Sequence, residues 1–202
     1  MKKKITNKDI IDGSFVIPEG VTEIRDWAFE DCTSLESITI PESVTKIGIG
    51  AFRGCSSLTN ITLPESVTKI WNWTFEGCSH LTNITIPESV TEIGDGVFYG
   101  CNSLKNITLP MSVTEIGECA FEGCKSLSSI IIPEGVTKIG IDAFYDCSSL
   151  TSIVIPESVT KIWDYAFDRC RSLKKISLPK KVKLGNKVFF RCLPDLEIVY
   201  RD

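Results

Sequence analysis

Hydrophobic residues recur along this chain in one fixed frame. Leu58, Ile61 and Leu63 return as Leu81, Ile84 and Ile86, and again as Leu104, Ile107 and Leu109. Ile-x-Leu is the period-two alternation of a short strand with one face buried. Proline follows at once, at 18, 41, 64, 87, 110, 133, 156 and 179, each step being 23 residues. Proline lacks an N–H and cannot extend a ladder, so it is expected to stop the strand at the same point in every unit. Val44 and Ile47 begin a second inward-facing stretch. Ala51, Phe52 and Cys55 follow around a tight turn that reads as a single short helical turn, with Gly48, Gly50 and Gly54 letting the backbone bend.

A fixed period of this length is the mark of a solenoid. One unit alone cannot bury its Val, Ile, Phe, Cys and Leu positions, whereas stacked units bury them against one another. The expected fold is an α/β solenoid of eight turns of about 23 residues, on the order of 40 Å long at about 4.8 Å per strand. Its parallel sheet is expected on the concave face and the Ala-Phe turn on the convex side. The chain reads as one domain: an N-terminal cap over residues 1–13, repeats over 14–192, and a last strand with a C-terminal cap over 193–202. The last unit is one residue short, with Val182-Lys183-Leu184 in place of Val-x-x-Ile.

Leu-x-x-Ile-x-Ile is the strand signature of leucine-rich repeats. The longer pattern Leu-x-x-Ile-x-Ile-Pro-x-x-Val-x-x-Ile-Gly-x-x-Ala-Phe-x-x-Cys, from about residue 14 to 200, resembles the BspA-like or Treponema-type subclass. One column departs from the general class. Where ordinary leucine-rich repeats carry Asn or Cys three residues after the last strand Leu, this chain has Ser43, Ser66, Ser89, Ser112 and Ser158, so an asparagine ladder is missing. The resemblance implies a protein- or surface-binding module. Bacterial relatives are typically surface proteins in adhesion and host contact, and other relatives lack classical export signals. It brings no catalytic residue.

Composition narrows the function classes. Hydrophobic residues at 43% and charged residues at 24% exclude wholesale disorder. The net charge of −4 argues against nucleic-acid binding by the body. No stretch approaches the roughly 18 apolar residues of a membrane span. Met1-Lys2-Lys3-Lys4 resembles the start of a secretory signal, but the polar residues that follow lack its apolar stretch. The expected location is cytoplasmic or non-classically surface-exposed.

Charge is also uneven: residues 169–202 carry a net +7 and residues 1–168 a net −11. The basic run includes Arg169, Arg171, Lys174, Lys175, Lys180, Lys181, Lys183, Lys187 and Arg191. It suits an anionic partner, or serves as a charged cap against end-to-end stacking.

The candidate partner-binding residues lie on the outward strand positions: Thr39, Asn60, Thr62, Asn83, Thr85, Asn106 and Thr108, giving way to Ile131 and Val154 and then to Lys174 and Lys175. Solenoids bind partners, here an unidentified protein or surface ligand, along such a face. The alternative is a scaffold with no binding task. Asn60, Asn83 and Asn106 also head Asn-x-Thr sequons, which repetition of one unit explains. Single threonines down a flat face suit ice binding poorly, since the paired Thr-x-Thr is missing.

Aromatics interrupt the Gly-x-x segment at Trp27, Trp71, Trp73, Trp163 and Tyr165. Of these, Trp71 and Trp73 are candidate anchors, with local packing over the turn as the plainer role. Cysteines 32, 55, 78, 101, 124, 147 and 170 form one column with Cys192 displaced. Without C-x-x-C pairs this reads as a buried thiol ladder rather than a metal site, and Cys119 as the one thiol near the surface. Glu19, Glu42, Glu65, Glu88, Glu134 and Glu157 form a column expected to pair with Lys46, Lys69 and Lys138. His80, the only histidine, replaces a serine of its column and reads as surface drift. No cofactor, metal or catalytic constellation is expected.

Overall fold

The structure, a computed structural model, describes residues 4–201. The first three residues of the expected N-terminal cap, and Asp202, lie outside the described residues. The chain winds as a parallel-strand solenoid with three hydrogen-bonding seams. The first seam holds the strands that precede the proline column, with one more at the end: Ser14–Val16, Ser37–Thr39, Asn60–Thr62, Asn83–Thr85, Asn106–Thr108, Ser129–Ile131, Ser152–Val154, Lys175–Pro179 and Glu197–Arg201. The second runs through two-residue strands, from Glu23–Ile24 by way of a single bridge at Ile70 to Lys183–Leu184. In both seams residue i pairs with i+23, as Asn60 with Asn83 and Glu92 with Glu115. The missing residue shows directly, because Lys161 pairs with Lys183.

The third seam corrects the expected helical turn. Among the described residues the only helix is the 3-10 turn Asn7–Asp9, so the helical share of the α/β class is slight. The Gly-x-x-Ala-Phe-x-x-Cys segment that starts at Gly48 instead makes three overlapping turns, the middle one closed by Arg53 N–H on Gly50 O (3.0 Å). The N–H of Ala51 donates to Gly48 O (3.3 Å) and that of Cys55 to Phe52 O (3.1 Å). Gly50 and Gly54 hold the third position of the first and last of these turns at φ +57° and +69°. A left-handed residue there is the demand of a type II turn, and it breaks a helix. With the backbone bent in this way, alternate N–H groups point to the next turn: Phe29 N–H donates to Ala51 O (2.8 Å) and Phe52 N–H to Thr74 O (2.9 Å).

Not every turn has glycine at these points. Trp27, Trp73, Cys119, Asp142, Tyr165 and Lys187 share the Gly50 column, all with positive φ. A non-glycine residue in that region costs about 1–2 kcal/mol. For the tryptophans the neighbouring turn offers an offset: a Cβ added at Gly50 would fall 2.1 Å from the Trp27 ring, and one at Gly96 2.4 Å from Trp73. Each indole covers a glycine in the following turn, which is local packing.

Side chains facing inward repeat with the backbone. Phe29, Phe52, Phe75, Phe98, Phe121, Phe144, Phe167 and Phe189 stack face to face, their ring centroids 5.1–5.9 Å apart. Seven of the eight are fully buried. Burial of such a ring is worth about 1.5–3 kcal/mol. The cysteine column lies beside them, and all nine thiols are free. Each thiol of the column is more than a small apolar group. Cys55 Sγ donates to Phe29 O and Cys78 Sγ to Phe52 O, both at 3.1 Å, and the pattern runs to Cys192 on Phe167 O at 3.0 Å. Each Phe carbonyl already accepts one N–H within its own turn, so the thiol fills the second lone pair. Cys119 is half-buried, and so is Cys192.

The ends differ from the body. Ile5 is buried at the N-terminal end, where its N–H donates to Ala28 O (2.8 Å), and Lys4 pairs with Glu30 (2.7 Å). At the other end the strand runs on through Pro179, against the expected stop. Arg201 sits where a further proline would fall, and its carbonyl accepts the Lys180 N–H at 3.0 Å. Ile198 and Tyr200 stay exposed there.

Buried thiols make the fold sensitive to alkali. Burial pushes Cys78 up to about 12 and Cys32 and Cys192 up to about 11, from an ordinary value near 9. The folded state therefore keeps protons that the unfolded state gives up. This stabilisation is complete below about pH 9 and is lost as pH rises through the folded values, at about 1.4 kcal/mol per thiol per pH unit. Urea midpoints should fall steeply between about pH 9 and 11, and the C78A variant should show a shallower fall. A flat profile would contradict the thiol ladder.

Candidate functional site

The strand face collects the polar positions. Thr39, Asn60, Thr62, Asn83, Thr85, Asn106 and Thr108 are all exposed on it. Alternation places them there: Ile61 and Ile107, between them in sequence, are buried. The amides are held in place. Asn83 Nδ2 donates to Asn60 Oδ1 (3.1 Å) and to Thr82 Oγ1 (3.2 Å), and Ser129 Oγ donates to Asn106 Oδ1 (2.9 Å). Ile131 and Val154 continue the face as an apolar patch, 75% and 56% exposed.

This face is not a uniform sheet. Its strands hydrogen-bond in groups: Ser14–Val16 with Ser37–Thr39, Asn60–Thr62 with Asn83–Thr85, Asn106–Thr108 with Ser129–Ile131, and the last three together. Between the groups, neighbouring strands lie side by side without ladder pairing. A cleft opens at each of these three junctions. The first, about 370 Å³, lies between Ser37–Thr39 and Asn60–Thr62 and includes Glu42 and Pro64. The second, about 440 Å³, lies between Asn83–Thr85 and Asn106–Thr108, with Glu88 and Pro110. The third, about 390 Å³, lies between Ser129–Ile131 and Ser152–Val154, with Glu134 and Pro156. Each presents hydroxyls or amides, a carboxylate and a proline edge, and the third is the most apolar.

A second feature has the same grouping. One column of the second seam reads Glu23, Lys46, Lys69, Glu92, Glu115, Lys138, Lys161. Lys46 pairs with Glu23 (2.8 Å), Lys69 with Glu92 (2.8 Å) and Lys138 with Glu115 (2.9 Å). The lysines thus pair within their own column, which corrects the expected pairing with Glu42, Glu65 and their relatives. Those glutamates instead edge the clefts. Like charges meet between the pairs: Lys46 with Lys69, Glu92 with Glu115, Lys138 with Lys161. These three junctions are the ones where the strand face opens; at the fourth, Lys161 beside Lys183, the strands Ser152–Val154 and Lys175–Pro179 stay paired. Like charges directly opposite on paired strands are destabilising.

The remaining candidates lie elsewhere. Trp71 stacks on Lys69 (4.3 Å) and lines a depression with Asn72 and Glu92, while Trp73 rides over Gly96. The structure does not bring them to the strand face. Lys174 and Lys175 are exposed at its far end, where Lys175 pairs with Glu197 (3.1 Å). The rest of the basic cluster is spread around the circumference: Arg191 lies 3.7 Å from Asp168, and Arg169 stands over the Tyr145 ring. His80 Nδ1 contacts Ser56 O at 2.7 Å, so that nitrogen carries the proton, since a carbonyl only accepts.

One group escaped the sequence reading. The donor atoms of Cys119, Glu122 and Asp142 lie within 4.8 Å of one another. Burial raises both carboxyls, and burial with Glu122 beside it pushes the Cys119 thiol up to about 12. Cys119 and Asp142 share the left-handed column in adjacent turns, which was the available signal.

A family model described as "BspA type Leucine rich repeat region" matches in six copies, over residues 10–108 and 91–200. A leucine-rich repeat protein from Bacteroides ovatus is 28% identical with a TM-score of 0.75, covering 93% of this chain and 63% of its own. A leucine rich cell surface protein from Faecalibacterium prausnitzii is 28% identical with a TM-score of 0.67, covering 94% and 69%. The Treponema pallidum leucine-rich repeat protein is 35% identical with a TM-score of 0.65, covering 91% and 79%. This chain therefore spans less than two thirds of the Bacteroides protein. No curated protein matches it significantly.

The charge column can be rewritten without touching the core. Exchanging one pair, as E115K/K138E, keeps an ion pair within its group and makes the two flanking junctions attractive. The variant should gain about 1 kcal/mol of stability at low salt. The gain should vanish near 1 M salt, where screening is nearly complete. Urea titrations at the two salt concentrations measure it; an equal gain at both would show that charge is not the cause.

Proposed function

Because the chain belongs to the BspA-type leucine-rich-repeat family, we propose that it is a non-enzymatic module that holds a protein or cell-surface ligand on its exposed strand face. The observation that carries this reading is the threefold repetition of one cleft. Three cavities of similar size and lining recur at every second turn, each edged by a glutamate and a proline. A single shallow cleft of this kind binds weakly, but several on one rigid face act together by effective concentration. A ligand with a repeating or extended form gains most from such an arrangement. Relatives support a place at the surface, since the Faecalibacterium protein is described as a cell surface protein. No helix among the described residues is long and apolar enough to cross a membrane.

The triple variant N60R/N83R/N106R tests this reading. It puts a long cation at the rim of two of the clefts, at positions that are exposed and leave the core untouched. The immobilised chain should retain a partner from cell lysate or extracellular-matrix components, and the variant should retain it about tenfold less or weaker. Equal retention by both proteins removes the strand face as the binding surface. Retention by neither, from any source, makes the array a scaffold.

A further inference from the structure

We propose that the cavity at the corner of the last two turns binds a small organic carboxylate with an apolar body. This cavity, about 630 Å³, is larger than any of the three clefts and lies off the strand face. Sites for small ligands span about 300–1,000 Å³. Val159, Pro179 and Val182 form its apolar wall, and Lys180, Lys181 and Arg201 its basic side, with Glu157 beside them.

The repeat supplies its own control. At the same corner of earlier turns, the hydroxyls of Ser43, Ser66, Ser89 and Ser112 donate to the valine carbonyl 22 residues before them, at 2.5–2.9 Å. That bond ties each corner to the turn beneath it. Ser158 Oγ is buried and has no partner among the described residues, and in the next turn Lys181 takes the serine's place. The glutamate column changes sign at the same point: Glu42, Glu65, Glu88, Glu134 and Glu157 are followed by Lys180. Arg201 Nη2 lies 3.2 Å from Glu157 and also bonds Ile155 O, while its Nε is buried without a partner among the described residues. Gly135 had already dropped the tie, but only at this last corner does its loss coincide with basic residues and an open cavity.

The chemistry of the lining selects the ligand. The exposed Lys181 ammonium attracts an anion as a point charge. The arginine end is already engaged by Glu157, so the bidentate clamp that favours phosphate is occupied. The apolar wall adds affinity for each methylene laid against it. A carboxylate carrying a short hydrocarbon body satisfies both sides of the cavity.

Backbone-amide NMR of the full chain, titrated with hexanoate, acetate, hexanol and inorganic phosphate, tests this. Hexanoate should give saturable shifts at Val159, Lys181 and Val182, binding about tenfold or more tightly than acetate or hexanol. K180E/K181E should lose the shifts; both lysines are exposed, so the core is untouched. N60R/N83R/N106R should keep them, which separates this site from the strand face. The proposal is overturned by an absence of saturable shifts at these residues, by undiminished binding in K180E/K181E, or by inorganic phosphate matching hexanoate.

Discussion

Each turn of this chain must satisfy its polar backbone with the turn beside it. Among the described residues no helix of useful length and no strand longer than five residues stores hydrogen bonds locally, and an unpaired buried N–H or C=O costs more than most contacts return. Stacking in register is therefore the condition for every other feature. It fixes the spacing of the phenylalanine rings and, from Cys55 onward, brings each thiol of the column under the phenylalanine carbonyl of the previous turn. It also explains the left-handed residues: only a backbone bent twice at the Ala-Phe corner turns alternate N–H groups outward to the next turn. The strain at Trp73 or Tyr165 is a local cost of a constraint imposed by the whole stack.

Much of this was legible in the sequence because repetition states it many times. The proline column set the number of turns, the Ile-x-Leu alternation set the inward face, and Val182-Lys183-Leu184 located the missing residue. The corner was misread as helical because Ala-Phe next to glycine suits either a helical turn or a tight turn. The difference lies in φ, which residue type indicates only where glycine alternates with something else. Trp27, Gly50, Trp73 and Gly96 did carry that signal, since a large ring and a bare backbone in successive turns are complementary.

The candidate site was legible in part. Alternation alone placed Asn60, Asn83, Asn106 and the threonines on one exposed face. Their grouping was not visible there, because Asn60 and Asn83 have the same neighbours in sequence yet stand on opposite sides of their clefts. It was written in another column, in the signs at positions 23 to 161, where opposite charges join turns in twos. Attention to the more regular Glu42 column led to the wrong ion-pair partners. The three-residue group at Cys119 was missed because its members come from two turns and meet only after winding.

The pairing of turns gives the strand face a parity. Across the first seven strands of the face, a ligand displaced along the axis by one turn meets a sealed seam where it had a cleft, and only a displacement of two restores the fit. A simple solenoid would let a partner slip by single turns with little change. This one has half as many equivalent positions there, so a chain laid along it would be held in phase, and an odd insertion in either molecule would put the two out of step.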